Sequence, residues 1–171
     1  MFPILDQLRT DLPSLNTLFA EVNGDLGSNL TLFLLILTCL MLTIHGMVVL
    51  AIAGAFHWLD GKLETRRIYG ANFLSYFCAI LLIIAAHFIE IIAWAYICIA
   101  LKVFPTNLQM LYFAGEMYTT VGYGSYQLSN EWKILPIIIA FSGIFAVSMS
   151  GAALYTMMGA LINHKNKDKN S

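Results

Sequence analysis

Charge is what this chain has least of. Only 11% of its 171 residues are Asp, Glu, Lys or Arg and 59% are hydrophobic, whereas a soluble domain carries roughly 25% charged residues. Mean hydropathy is +0.75. No charged residue occurs over 26–59 or 134–161, and each run exceeds the roughly 20 apolar residues that cross a bilayer. A soluble globular domain is excluded. The net charge of −1 excludes a general nucleic-acid role, which needs a basic surface. Cysteine is scarce: Cys39, Cys78 and Cys98 all fall inside apolar runs, where they read as small core residues and say nothing about redox compartment. No segment repeats arginine at every third position, which excludes a conventional voltage sensor. No nucleophile and base pair and no Gly-rich phosphate loop is present, so neither an enzyme nor a cofactor is expected. The N-terminal region lacks a basic start followed by an apolar core, so the first apolar run is expected to stay in the mature protein.

What the chain does have is three long apolar segments. They predict transmembrane helices over 30–56, 73–101 and 134–162, the second containing one acid, Glu90, and one histidine, His87. The fold class expected is an all-α integral membrane protein. Lys62, Arg66 and Arg67 lie between the first two segments, and Lys165, Lys167 and Lys169 follow the third. Positive charge stays in the cytoplasm, so the 57–72 loop and the 163–171 tail are expected there, with the N-terminus outside.

Between the second and third spans lie about 30 residues, too many for a turn and too few for a domain of their own. Pro105 cannot continue the second helix, and Thr106 or Asn107 can cap a new one. The spacing predicts a half-membrane helix over 105–118, its C-terminal dipole end abutting the run Thr119-Thr120-Val121-Gly122-Tyr123-Gly124. Irregular backbone at membrane depth survives only where protein buries it or where it lines a wet pathway.

That hexapeptide, with Tyr112-Phe113-Ala114-Gly115-Glu116 before it, resembles the signature of the potassium-channel superfamily, most closely the small prokaryotic two-helix pore-loop type with an added N-terminal helix. The resemblance is strongest over 105–132, and over the second and third spans it is one of pattern. It implies a pore helix over 105–118 and a selectivity-filter strand over 119–124, opening outward. The Thr120 hydroxyl and the carbonyls of Thr120, Val121, Gly122 and Tyr123 would replace the water shell of a permeant K+, with Gly122 and Gly124 allowing backbone angles closed to other residues. Tyr123 would point away from the ion. One strand cannot surround an ion and the motif occurs once, so four identical chains are expected around the pore, in a cell (inner or plasma) membrane, touching lipid, K+ and one another but no nucleic acid. Passive potassium conduction is the leading function. A subunit of a potassium uptake transporter and a non-conducting regulatory membrane protein are the alternatives.

Thr119, Glu116 and Ser125 support the filter in this reading. Some bacterial members carry a glutamate at the Glu116 position paired with a carboxylate just after the last glycine, and this chain has Ser125 there. Glu116 is then either a plain brace, hydrogen-bonded to filter amides, or a proton-sensitive one. On the third span Gly143, Val147, Gly151, Tyr155 and Gly159 recur at steps of four. Small residues let membrane helices approach, while the resemblance makes Gly143, and secondarily Gly151, candidates for a gating hinge.

His87 and Glu90 share a face of the second span, and His45 lies at comparable depth in the first. Three readings stand: a satisfied polar contact between helices, a proton sensor that would make the channel pH-modulated, and a metal site. Over 1–29, leucines 5, 8, 12, 15 and 18 recur at helical spacing. They predict an amphipathic extracytoplasmic segment broken near Pro13, with Asp11 as a cap, either lying on the outer leaflet or capping the pore mouth.

Overall fold

The computed structural model describes residues 14–17, 20, 29–65 and 71–168, with side chains described in the last two stretches over 29–62 and 73–162. Four helices carry the architecture: α1 (Asn29–Thr65), α2 (Ala71–Ala100), the short α3 (Asn107–Tyr118) and α4 (Leu135–Asp168), with a 3-10 turn at Asn130–Trp132 leading into α4. Three stretches, Asn29–Lys62, Phe73–Ala100 and Asn130–Ile162, are long and apolar enough to cross a membrane. The protein is a multi-pass membrane chain, helical with no strand among the described residues. Most of the expected amphipathic segment over 1–29, including Asp11, lies outside the described residues. So do Arg66, Arg67 and residues 169–171. Within the described part, the Ser14 hydroxyl accepts the Thr17 amide at 3.1 Å.

The sequence ends α1 at 56, where polar residues begin, but the helix continues to Thr65. Polarity alone does not stop a helix. Trp58 and Lys62, four residues apart on one face, stack with the ammonium 4.5 Å from the ring centroid, a pairing that favours continued helix. α2 stops before Pro105 is reached. The Lys102 amide donates to the Ile99 carbonyl at 3.0 Å and the Val103 amide to the Cys98 carbonyl at 3.1 Å, with Lys102 left-handed at φ 55°. This is a helix end closed by its own backbone, with a lysine where glycine is usual. Thr106 is the N-cap of α3: its hydroxyl accepts the Gln109 amide at 3.4 Å.

All three long helices are apolar on every side, so lipid can meet whatever protein does not. Leu50 is 73% exposed and Phe73 72%, as membrane-facing residues should be. Where helices do meet, two cores form. One joins all four helices through Leu34, Trp94, Cys98, Phe113, Tyr118 and Ile139. The other joins α1, α2 and α4 through Ile52, Phe56, Ala79, Ile83 and Met157. The first core fixes α3, and α3 carries the segment that follows it.

Candidate functional site

The expected filter is not a β-strand: 119–129 forms no regular secondary structure. What it has instead is an alternation. Thr120, Gly122 and Gly124 take left-handed φ values of 58°, 50° and 70°, and the intervening Val121 and Tyr123 do not. Alternating hand turns successive peptide groups the same way, with N–H groups to one side and C=O groups to the other. For the two glycines that conformation costs little. For the β-branched Thr120 it is strained.

The amide side has a partner, and it is Glu116. Its backbone carbonyl accepts from Val121 at 3.0 Å and Gly122 at 3.4 Å, and its carboxylate Oε2 accepts the Tyr123 amide at 3.2 Å. The Thr120 amide closes on Met117 O at 3.0 Å, so Thr120 occupies the left-handed position that ends a helix with paired backbone bonds. Thr119, the C-cap, donates its hydroxyl to Gly115 O at 2.7 Å. The last turn of α3 thus satisfies its orphan carbonyls with the amides of the segment it presents, leaving the C=O groups of that segment on the other side. Val121 is 53% exposed and Tyr123 79%, and Ser125 is exposed as well. Beyond it, Tyr126 ties the loop down against Phe104 and Phe113, with ring centroids 5.2 and 5.5 Å away.

His45, His87 and Glu90 meet. His45 Nδ1 bonds Glu90 Oε1, and the Tyr118 hydroxyl donates to Glu90 Oε2. A phenol has one proton, so His87 Nδ1, 2.8 Å from the same hydroxyl, is the donor there. The carboxylate only accepts, so His45 Nδ1 carries a hydrogen. In a neutral ring its Nε2 then accepts from Ser150 Oγ at 3.0 Å. The chain Ser150, His45, Glu90, Tyr118, His87 joins α4, α1, α2 and α3.

A ring nitrogen from each of His45 and His87 and a Glu90 carboxylate oxygen lie within 4.8 Å of one another, which puts the metal reading to the test. Hydrogen bonds already engage both ring nitrogens of His45 and both Glu90 oxygens, and the cluster stands as a closed polar chain. Tyr118 and Ser150 were not singled out from the sequence. Ser150 could have been, as a hydroxyl two turns beyond Ser142 on the same ridge of α4. Tyr118 could not, because its role depends on how α3 docks.

The hinge candidates differ in their surroundings. Gly143 is buried against the Tyr118 backbone, and a Cβ there would lie 2.8 Å from the Tyr118 carbonyl carbon, while Gly151 has open space around it.

Residues 84–160 match a family model described as Ion channel. This stretch is similar to that family over 77 of the 171 residues. The match opens within α2, three residues before His87, and closes within α4, so the matched stretch contains α3 and the alternating segment. It covers the same stretch as the potassium-channel resemblance of residues 119–124. α1 lies outside the match, although His45 bonds Glu90 and Ser150 within it. Comparison with curated proteins and with solved structures gave no match.

Proposed function

We propose that the protein is a potassium-selective channel that conducts K+ passively, assembled as a homotetramer, with the N-terminus outside and the C-terminus in the cytoplasm of a cell membrane. The observation that carries this reading is the alternation of left-handed residues at Thr120, Gly122 and Gly124 with the amides turned onto Glu116. It leaves a row of carbonyls free on the other side, and rings of carbonyls are what replace the hydration shell of K+. Two further features support it. The alternating segment is exposed in the single chain although it sits between two crossing helices, and exposed polar backbone at that depth requires cover by protein or water. Four copies around a wet axis supply both. The C-terminal dipole end of α3 also points its negative pole at the foot of the segment, which favours a cation there. No voltage sensor is assigned, and the buried polar chain around Glu90 makes protons the gating input of choice.

The test is reconstitution of the purified chain in planar bilayers under bi-ionic K+ and Na+ gradients. A reversal potential near that of K+, from protein that runs as a tetramer, is the expected result. Intact tetramers that pass no current, or that pass both ions equally, would overturn the reading and favour a transporter subunit or a regulatory protein.

A further inference from the structure

We propose that Glu90 and Ser150 are positioning residues through which a proton taken up by the buried chain bends α4, the helix that would line the pore. The inference rests on the channel reading for its effect on conduction, but the proton coupling itself can be read without current.

The groups that face one another are His45 from α1, His87 and Glu90 from α2, Tyr118 from α3 and, from α4, the Ser150 hydroxyl. His45 is 1% exposed and Ser150 3%, so neither nitrogen of that ring can turn to water for a partner. With one proton on the His45 ring, Nδ1–H serves Glu90 and the bare Nε2 requires Ser150 to donate. Add one proton from solvent to the His45 and Glu90 pair, with Tyr118 still donating to Oε2, and Nε2 acquires a hydrogen. Ser150 Oγ must then accept, and its own proton needs a new acceptor.

The neighbouring hydroxyls of α4 show where such a proton goes. Ser142 donates to Ile139 O at 2.7 Å, Ser148 to Ile144 O at 2.7 Å and Thr156 to Ala152 O at 3.0 Å. For Ser150 the equivalent acceptor is the carbonyl of Ala146, one turn earlier. A serine that bonds back onto its own helix bends it, and this bond would fall between Gly143 and Gly151, the two candidate hinges. The other end of the chain reaches the filter. Tyr118 is the last residue of α3, its hydroxyl held by Glu90 and its carbonyl packed on Gly143. One carboxylate therefore holds the foot of the filter and, through His45, sets the direction of a hydrogen bond on the inner helix.

The experiment uses the full chain in lipid nanodiscs and in liposomes. Nitrogen NMR of the histidines gives the His45 titration directly, and potassium flux gives its consequence. Ser150→Ala removes the hydroxyl without touching Glu90 or Tyr118, Ser150→Thr restores it, and Glu90→Gln removes the charge. Ser150→Ala is expected to shift the His45 midpoint by about one pH unit, a tenfold change in proton affinity, and to flatten the pH dependence of flux while tetramers remain intact. Ser150→Thr should recover both. A His45 titration unchanged in both Ser150→Ala and Glu90→Gln would overturn the proposal whether or not the wild type conducts. A normal titration shift with an unaltered flux profile would overturn the coupling to the pore, and a pH response that vanishes on chelating zinc would reassign the cluster to a metal. Wild-type tetramers that show the His45 shift but carry no potassium current would leave the proton link standing and overturn the channel reading alone.

Discussion

Gly143 of α4 lies against the backbone carbonyl of Tyr118, the last residue of α3, so closely that a Cβ would overlap the oxygen and stand 2.8 Å from the carbon and 3.2 Å from Cα. The obstacle is backbone that is itself pinned, since Tyr118 is 3% exposed and its hydroxyl is held by Glu90. α4 therefore crosses the end of α3 at a point where only hydrogen fits.

Gly143→Ala is accordingly expected to push α4 away from α3. Alanine favours helix over glycine by about 1 kcal/mol, but overpacking against a rigid neighbour costs about 1–3 kcal/mol, so the variant loses stability on balance. Open probability should change, and selectivity should hold because the filter amides bond to Glu116 and not to α4. Single-channel recording and thermal melting of the tetramer check both halves, and wild-type values in each would remove the packing argument and the hinge together. Gly151→Ala, with open space around it, should leave stability within about 0.5 kcal/mol or raise it.

Glu116 offers two acceptors to the segment it precedes. Glu116→Gln keeps an oxygen for the Tyr123 amide at some loss of strength, whereas Glu116→Ala leaves that amide without its partner, a cost of about 1–3 kcal/mol for a bond to a charged group. The ordering expected for tetramer melting temperature in K+ is wild type, then Gln, then Ala. If Ala matched the wild type, the 3.2 Å bond to Tyr123 would have no part in holding residues 119–124.

At Gly122 the strain is purely conformational. A Cβ would meet nothing within 4 Å, but φ is +50°, and an L-residue held in the left-handed region costs roughly 1–2 kcal/mol. Gly122→Ala should therefore still fold and assemble while relaxing the alternation of Thr120, Gly122 and Gly124. The expected reading is a K+ to Na+ permeability ratio that falls several-fold in bi-ionic recordings, with assembly by size-exclusion unchanged.

Much of this was legible in the sequence, and the rest was not for identifiable reasons. Three spans and the cap at Thr106 follow from local rules of hydropathy and capping, while Glu116 stood out through the family resemblance and is found bonded to the amides of residues 121–123. α1 runs on past the apolar span that ends at Phe56, because polar residues imply an interface but not a break, and Trp58 with Lys62 carries the helix on. Pro105 was read as the stop of α2, whereas the backbone reverses earlier, at left-handed Lys102. That His45, His87 and Glu90 share a depth could be seen from spacing, but their joining through Tyr118 and Ser150 depends on helix rotation, which periodicity does not give for helices apolar on every side.

A second buried pair joins α2 to α4. Trp94 is fully buried and Ser142 2% exposed. The indole Nε1–H donates to Ser142 Oγ at 2.9 Å, and Ser142 in turn donates to Ile139 O at 2.7 Å. Ser142→Ala strands the indole N–H, whereas Trp94→Phe leaves Ser142 bonded but opens a cavity. Both remove the same hydrogen bond, so the double variant should cost less than the sum of the singles, by about 0.6–1.7 kcal/mol, the range of such bonds between membrane helices. Strict additivity in unfolding free energy would show that the bond contributes nothing.

Tyr126 supplies a pH dependence that can be worked out in sign. Burial first, then the negative charge of Glu116 and a hydrogen bond to it, raise the Tyr126 phenol above its ordinary value. The folded chain resists ionising this group more than the unfolded chain does. Its contribution is therefore fully present below the ordinary phenol pKa of about 10 and is lost as pH rises through the raised folded value. Ionised, the ring would sit badly against Phe104 and Phe113, and the loop that follows Gly124 would loosen. Wild-type tetramers in detergent are expected to lose more melting temperature than Tyr126→Phe between about pH 9 and pH 11, although the other tyrosines titrate in both. Equal alkaline losses in the two proteins would mean that Tyr126 ionises as freely when folded as when unfolded, and that Glu116 does not govern it.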